Sequence, residues 1–151
     1  MTVIELLVVM STITILLAIG VPKVEDFAIR ARVNEGLNFA NAARQSLRET
    51  CISNPHSKIA NLEDAGFDFR PTKYVAEVII SADCSSGSLW VGVITRDTGA
   101  HPDPYIGFTG TFSPNSRQFT WRCQLLTGNP SQVPGDCEVG TDPNTLVATN
   151  F

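Results

Sequence analysis

Residues 1–27 read MTVIELLVVMSTITILLAIGVPKVEDF. From Leu6 to Val21 the stretch carries no charge, and a single acid, Glu5, stands just before that run. At 1.5 Å per residue, a helix over the first 21 residues is about 31 Å long, close to the ~30 Å hydrocarbon layer of a bilayer. A cleaved secretory signal is the competing reading, because Ala18-Ile19-Gly20 has the small-x-small form of a cleavage site. Against it, no basic segment precedes the apolar run, and Glu5 occupies a place where signals carry positive charge. A retained membrane segment is the expectation.

Glu5 is the most informative residue of the stretch. A carboxylate within a spanning helix costs roughly 2.5–3.5 kcal/mol on insertion scales. The helix N-terminus offsets part of this through its dipole and its unpaired N–H groups. The first cationic side chain is Lys23, which lies eighteen residues on, or about 27 Å along a straight helix. The nearer cation is the α-amine of Met1. Within one chain that amine is held against the helix start, whereas a second copy shifted along the axis can place its own amine beside Glu5. The arrangement calls for a multichain assembly.

Beyond the apolar run no strong stop occurs before Asn54-Pro55, so a helix is expected to continue to about Ile52. Pro22, with Gly20 in the same turn, predicts a kink or local unwinding near residues 18–23. Past it, Val33, Leu37, Ala40, Ala43 and Leu47 recur at helical spacing and form a stripe that should pack on a globular domain. Lys23, Glu25, Asp26, Arg30, Arg32, Glu35, Arg44, Arg48 and Glu49 fall on other faces, where solvent or salt bridges between subunits explain them equally well.

From Cys51 to Pro71 the chain is loop-like, rich in Asn, Asp, Ser and Pro. Residues 74–80 then read as a strand, Ser85-Ser86-Gly87 as a turn, and residues 89–95 as the hairpin partner. An irregular stretch with Pro102, Pro104 and Pro114 carries a short strand at 108–112. Residues 118–126 alternate Phe119, Trp121, Cys123 and Leu125 on one face, as a further strand would. The sum is an α+β protein: a long helix lying across an antiparallel sheet, with no internal repeat and no second domain.

The 151 residues suit one domain of ordinary size; 43% are apolar, 17% are charged, and the net charge is −4. The acidic balance disfavours a basic DNA-binding module, and the aliphatic content with modest Gly and Pro excludes collagen-like or wholly disordered chains. Residues 50–151 hold ten acids against six bases, so DNA binding would need a local patch, for which Arg117 and Arg122 give only a weak signal. Four cysteines after a membrane segment point to an oxidising compartment, with three pairings open. No C-x-x-C spacing is present, and His56 and His101 stand apart, which argues against zinc. Asp136, Glu138 and Asp142 fit no EF-hand spacing for calcium. No phosphate-binding, hydrolase or metalloprotease motif is present, and His101-Pro102-Asp103 reads better as a loop than as a proton relay.

The N-terminal stretch resembles the mature start of a type IV pilin. Thr2, Ile4, Glu5 and Leu6, the apolar run to Pro22, and Asp26 with Phe27 all match. Thr14 stands where the family commonly has glycine, and Met1 where it more often has phenylalanine. Trp121-Arg122-Cys123, with Val133-Pro134 ahead of Cys137, resembles the W-x-C…P-x-x-C pattern of the family's C-terminal disulfide loop. The resemblance implies the pilin fold, with a core helix over 1–22 that is kinked or unwound near Pro22, an amphipathic helix over 23–53, and a head over 54–151. It implies the disulfide Cys123–Cys137, which leaves Cys51–Cys84.

It further implies a basic leader cut before Met1 by a prepilin peptidase, N-methylation of Met1, and assembly through Met1, Glu5 and Pro22. The positive-inside rule applied to Lys23, Arg30 and Arg32 opposes an exported head, but Glu25 and Asp26 dilute that signal and a basic leader would outweigh it. The implied protein is no enzyme and has no cofactor or metal. It is a major subunit, inserted in the inner membrane of a Gram-negative bacterium and polymerised by the pilus machinery into a homopolymeric surface filament for adhesion and twitching motility, with DNA uptake in some cases. A minor pilin, a type II secretion pseudopilin and a membrane-anchored periplasmic enzyme or binding domain are the alternatives.

Overall fold

The computed structural model describes residues 2–113, 115–133, 135 and 137–140, apart from the side chains of 21–23. The expectations for Met1, Pro134, Asp136 and Asp142 lie outside the described residues. One helix, α1 (Val3–Ser53), precedes a single sheet of β1 (Lys58–Ile59), β2 (Val75–Asp83), β3 (Ser88–Thr95), β4 (Tyr105–Ser113), β5 (Gln118–Thr127) and β6 (Glu138–Val139). The strands lie side by side in chain order, antiparallel throughout except for the parallel pair β5–β6.

The core forms where the second half of α1 crosses the sheet. Val33, Ala40, Ala43 and Leu47 are completely buried, joined by Ile29 at the near end and Cys51 at the far end. Burying a leucine of this kind contributes about 1.5–3 kcal/mol. Gly36 lets the helix come close, since a Cβ there would stand 3.1 Å from Val93 Cγ1 and 3.2 Å from Thr95 Cγ2. From the sheet, Val78, Ile80, Leu89, Val91, Val93, Ile106, Phe108, Phe112 and Leu125 meet this face. Strand alternation would place Val75 and Val78 on opposite faces, yet both are buried. A register shift between Val75 and Glu77 resets the phase.

The β2–β3 turn is built by Asp83, whose carboxylate accepts from the amides of Ser85 (3.0 Å) and Ser86 (3.2 Å). Those donors, the Ser85 hydroxyl foremost, hold the Asp83 pKa below its ordinary value. Gly87 closes the turn at φ 76°, and a Cβ there would lie 2.1 Å from the Phe112 carbonyl oxygen, so no other residue fits without displacement. The irregular stretch before β4 is ordered by Asp103, which accepts from the amides of Asp97 (3.1 Å) and Thr98 (3.0 Å) and from the Thr98 hydroxyl.

The strands extend beyond their sequence-read limits: β2 runs on to Asp83, and β4 spans 105–113, where only 108–112 is legible. The two-residue edge strands β1 and β6 carry no sequence signal. The interruption expected near Pro22 takes a milder form than unwinding. The backbone of α1 is helical without a gap through residues 20–23, so the only certain loss there is the hydrogen bond that a proline nitrogen cannot donate.

Candidate assembly surface

The same helix that supplies the core leaves its first half bare. Val3, Ile4, Leu6, Leu7, Val8, Val9, Met10, Ile13, Ile15, Leu16, Leu17, Ile19, Val24 and Phe27 are all exposed, from 46% at Ile13 to 76% at Val3. The segment is long and apolar enough to cross a membrane, and none of its most apolar window is buried within the subunit. A contiguous apolar surface of this size marks a lipid or protein interface. Its three hydroxyls do not disturb that character, because each donates back into its own helix: Ser11 to Val8 O (2.9 Å), Thr12 to Val9 O (2.8 Å) and Thr14 to Met10 O.

Glu5 lies in the first turn of α1, after the extended N-cap Thr2. Among the described residues no ion pair reaches its carboxylate. The helix start favours a negative charge here through its dipole. Met1, the partner expected from the sequence, lies outside the described residues, and Pro22 is placed within the continuous helix.

Four basic side chains beyond the apolar half reach the head of their own subunit. Arg30 Nε donates to Ser131 O (2.6 Å), and Arg32 Nη1 to Thr98 O (2.7 Å) with its guanidinium 5.5 Å from the Tyr74 ring centre. Arg44 lies 4.4 Å over Phe108 and 5.6 Å from Trp121, and Arg48 5.4 Å over Phe119. Burial against these rings pushes the Arg44 pKa down from its ordinary value. Four arginines therefore fasten the helix to its own head, because stacking on rings and donation to carbonyls both suit a planar, weakly hydrated cation.

Two disulfides brace the ends. Cys51 pairs with Cys84, joining the last turn of α1 to the end of β2, and Cys123 pairs with Cys137, closing the C-terminal loop. Sequence reading missed what that loop does. Its 3-10 turn, Pro130–Gln132, folds back onto α1, where Ser131 O receives Arg30 and Gln132 Nε2 donates to Asp26 Oδ1 (3.3 Å). Asn129-Pro130 signals a turn, and Asn129 does cap it, but nothing local names its partner a hundred residues away.

No metal-binding group of His, Cys, Asp or Glu occurs among the described residues. His101 and Asp103 sit in the loop before β4, with Asp103 committed to backbone amides. Arg117 lies in the β4–β5 turn and Arg122 five residues along β5.

A long N-terminal helix with an apolar half, a mainly antiparallel sheet against its other half, and a C-terminal disulfide loop constitute the type IV pilin fold. No family model matches the chain. It is 27% identical over 146 residues to the fimbrial protein EcpC of Eikenella corrodens, an alignment covering 94% of this chain and 92% of that protein. The chain thus has the pilin fold and is similar over nearly its whole length to a fimbrial protein.

Proposed function

We propose that this chain is the major repeating subunit of a type IV pilus. It waits in the inner membrane with α1 spanning the lipid, and the pilus machinery then draws it into a helical filament after a prepilin peptidase has exposed the Met1 amine. One observation carries the reading: the exposed apolar half of α1 has no partner among the described residues of its own subunit, although one face of the other half is buried against the sheet. Stacking copies by a screw operation replaces lipid with neighbouring helices, and a head-to-tail contact of this kind generates an open filament. In that stack the Glu5 carboxylate meets the amine of the next copy, neutralising both charges in apolar surroundings. The protein acts as a scaffold and not as a catalyst. The heads coat the outside of the filament, where adhesion and retraction-driven twitching take place.

The test is Glu5→Ala in the full chain, expressed with its assembly machinery in a Gram-negative host. The variant is expected in the inner membrane at the wild-type level, with sheared surface filaments reduced about tenfold or more, since tenfold corresponds to only about 1.4 kcal/mol of lost pairing. Normal piliation would remove the pairing from the reading. Abundance separates this role from a minor pilin or pseudopilin: the major subunit repeats along the whole filament in a cryo-electron reconstruction.

A further inference from the structure

The two flanks of the helix–sheet junction carry opposite charge, and the helix itself sets them apart. Arg44 and Arg48 lean toward β4 and β5, onto Phe108, Trp121 and Phe119. Ser46 and Thr50 each follow one of those arginines by two positions, which is about 200° around a helix. They point the other way, and both donate to the carbonyl of Ala65. That carbonyl closes the 3-10 turn Glu63–Ala65, so the acids Glu63 and Asp64 are fixed on the flank opposite the arginines.

Each flank is shaped as well as charged. On the basic side, Asn41, Arg44, Gln45, Arg48, Glu49 and Trp121 line a shallow groove. Glu49 also lines it, accepting from Gln45 Nε2 at 3.0 Å, so the two guanidinium groups outnumber the one carboxylate and leave the groove net basic. On the acidic side, Glu63 and Glu77 line a second groove, between the 3-10 turn and β2. Asp68 lies exposed just beyond. Ring-stacked arginines beside a tryptophan have the composition of an interface anchor: planar donors already held in place, with apolar area to bury.

We propose that in the assembled filament the Arg44–Arg48–Trp121 groove of one head receives the Glu63–Glu77 flank of a second copy of this chain. Different surfaces meet, so the contact is heterologous and repeats without closing, as an open filament needs. Two complementary patches on opposite flanks of one subunit can be satisfied along a row of copies, but not within one copy. The inference rests on the filament reading above and adds a head-to-head contact that sets the rotation between neighbours.

The experiment uses the full chain assembled on cells. Arg48→Cys combined with Glu63→Cys, treated with a short bismaleimide, is expected to give a ladder of multimers from intact filaments, and each single cysteine variant no ladder. A ladder whose yield falls several-fold between low and high salt during assembly matches an exposed ionic contact. In parallel, Arg44→Glu with Arg48→Glu should lower surface filaments about fivefold, as two partly exposed ion pairs per subunit warrant. Adding Glu63→Arg and Glu77→Arg should restore them to within about twofold, a rescue that misfolding cannot produce.

Filaments of the double-cysteine variant that give no cross-link, with no rescue by charge reversal, would overturn the head contact and leave the filament reading intact. Capture of a different protein by the Arg48→Cys variant would also overturn it. Absence of filaments from the wild-type chain would instead overturn the filament reading, and this inference with it.

Discussion

The two halves of α1 are built from one continuous helix and similar aliphatic residues, yet they solve opposite problems. Val33, Ala40, Ala43 and Leu47 are small or medium residues on one face, and every one is buried within its own subunit. Leu7, Met10, Leu16 and Ile19 point in all directions and remain exposed, at 59–70%. The difference lies in the period of the pattern. A one-sided stripe closes on a single sheet, whereas an all-round apolar surface needs surroundings on every side, which only lipid or a bundle of other helices provides. A single helix thus holds one segment packed into the fold and another whose apolar side chains are left exposed.

The sharpest way to break this division is the same substitution in each half. Leu47→Ala is expected to destabilise the head by about 2–5 kcal/mol in thermal or denaturant unfolding of the detergent-solubilised subunit. Leu16→Ala, at a site that is 70% exposed, should change that measurement by less than about 0.5 kcal/mol. Comparable losses at both sites would mean that the first half is folded against the head and would end the division.

Next in size is Cys137→Ser, which opens the loop that clasps α1 at Asp26 and Arg30, where the two halves meet. The chain-entropy model gives about 3 kcal/mol for a loop of this length. A lower melting temperature with unchanged membrane insertion is the expected result, and an unchanged melting temperature would show that the loop does not hold the head.

The smallest effect concerns pH. Burial, with the nearby Glu77 carboxylate, raises the Tyr105 pKa above its ordinary value. Folding therefore favours the protonated phenol. Its contribution is fully present below pH about 10 and is lost as pH rises from there through the higher folded pKa. Tyr105→Phe should flatten this alkaline loss of stability, measured as melting temperature between neutral and strongly alkaline buffer, and a parallel curve for both proteins would assign the loss elsewhere.

What could be read in the sequence was what periodicity encodes. The end of α1, the buried stripe, the 85–87 turn and the inward face of β5 all follow from spacing and turn chemistry. Contacts that depend on distant partners could not be read. Arg30 resembles any surface arginine until Ser131 is placed beside it, and Arg44 and Arg48 read as a charged face because their aromatic partners are more than sixty residues away. The edge strands β1 and β6 are two residues long, too short to show any alternation. At Glu5 the position and rarity of the charge were legible, while spacing along one chain names no partner for it.

The head is strapped to α1 at two places, by the Pro130–Gln132 turn near Asp26 and Arg30 and by the Cys51–Cys84 bridge. Between them the helix is splinted over about 26 residues, or roughly 39 Å. Below the lower strap, the few residues around Gly20 and Pro22 have neither the splint of the sheet nor a complete set of backbone hydrogen bonds. In the filament proposed above, that short link is where axial tension would first lengthen the chain, so a pulled fibre would give at its spine before its globular heads.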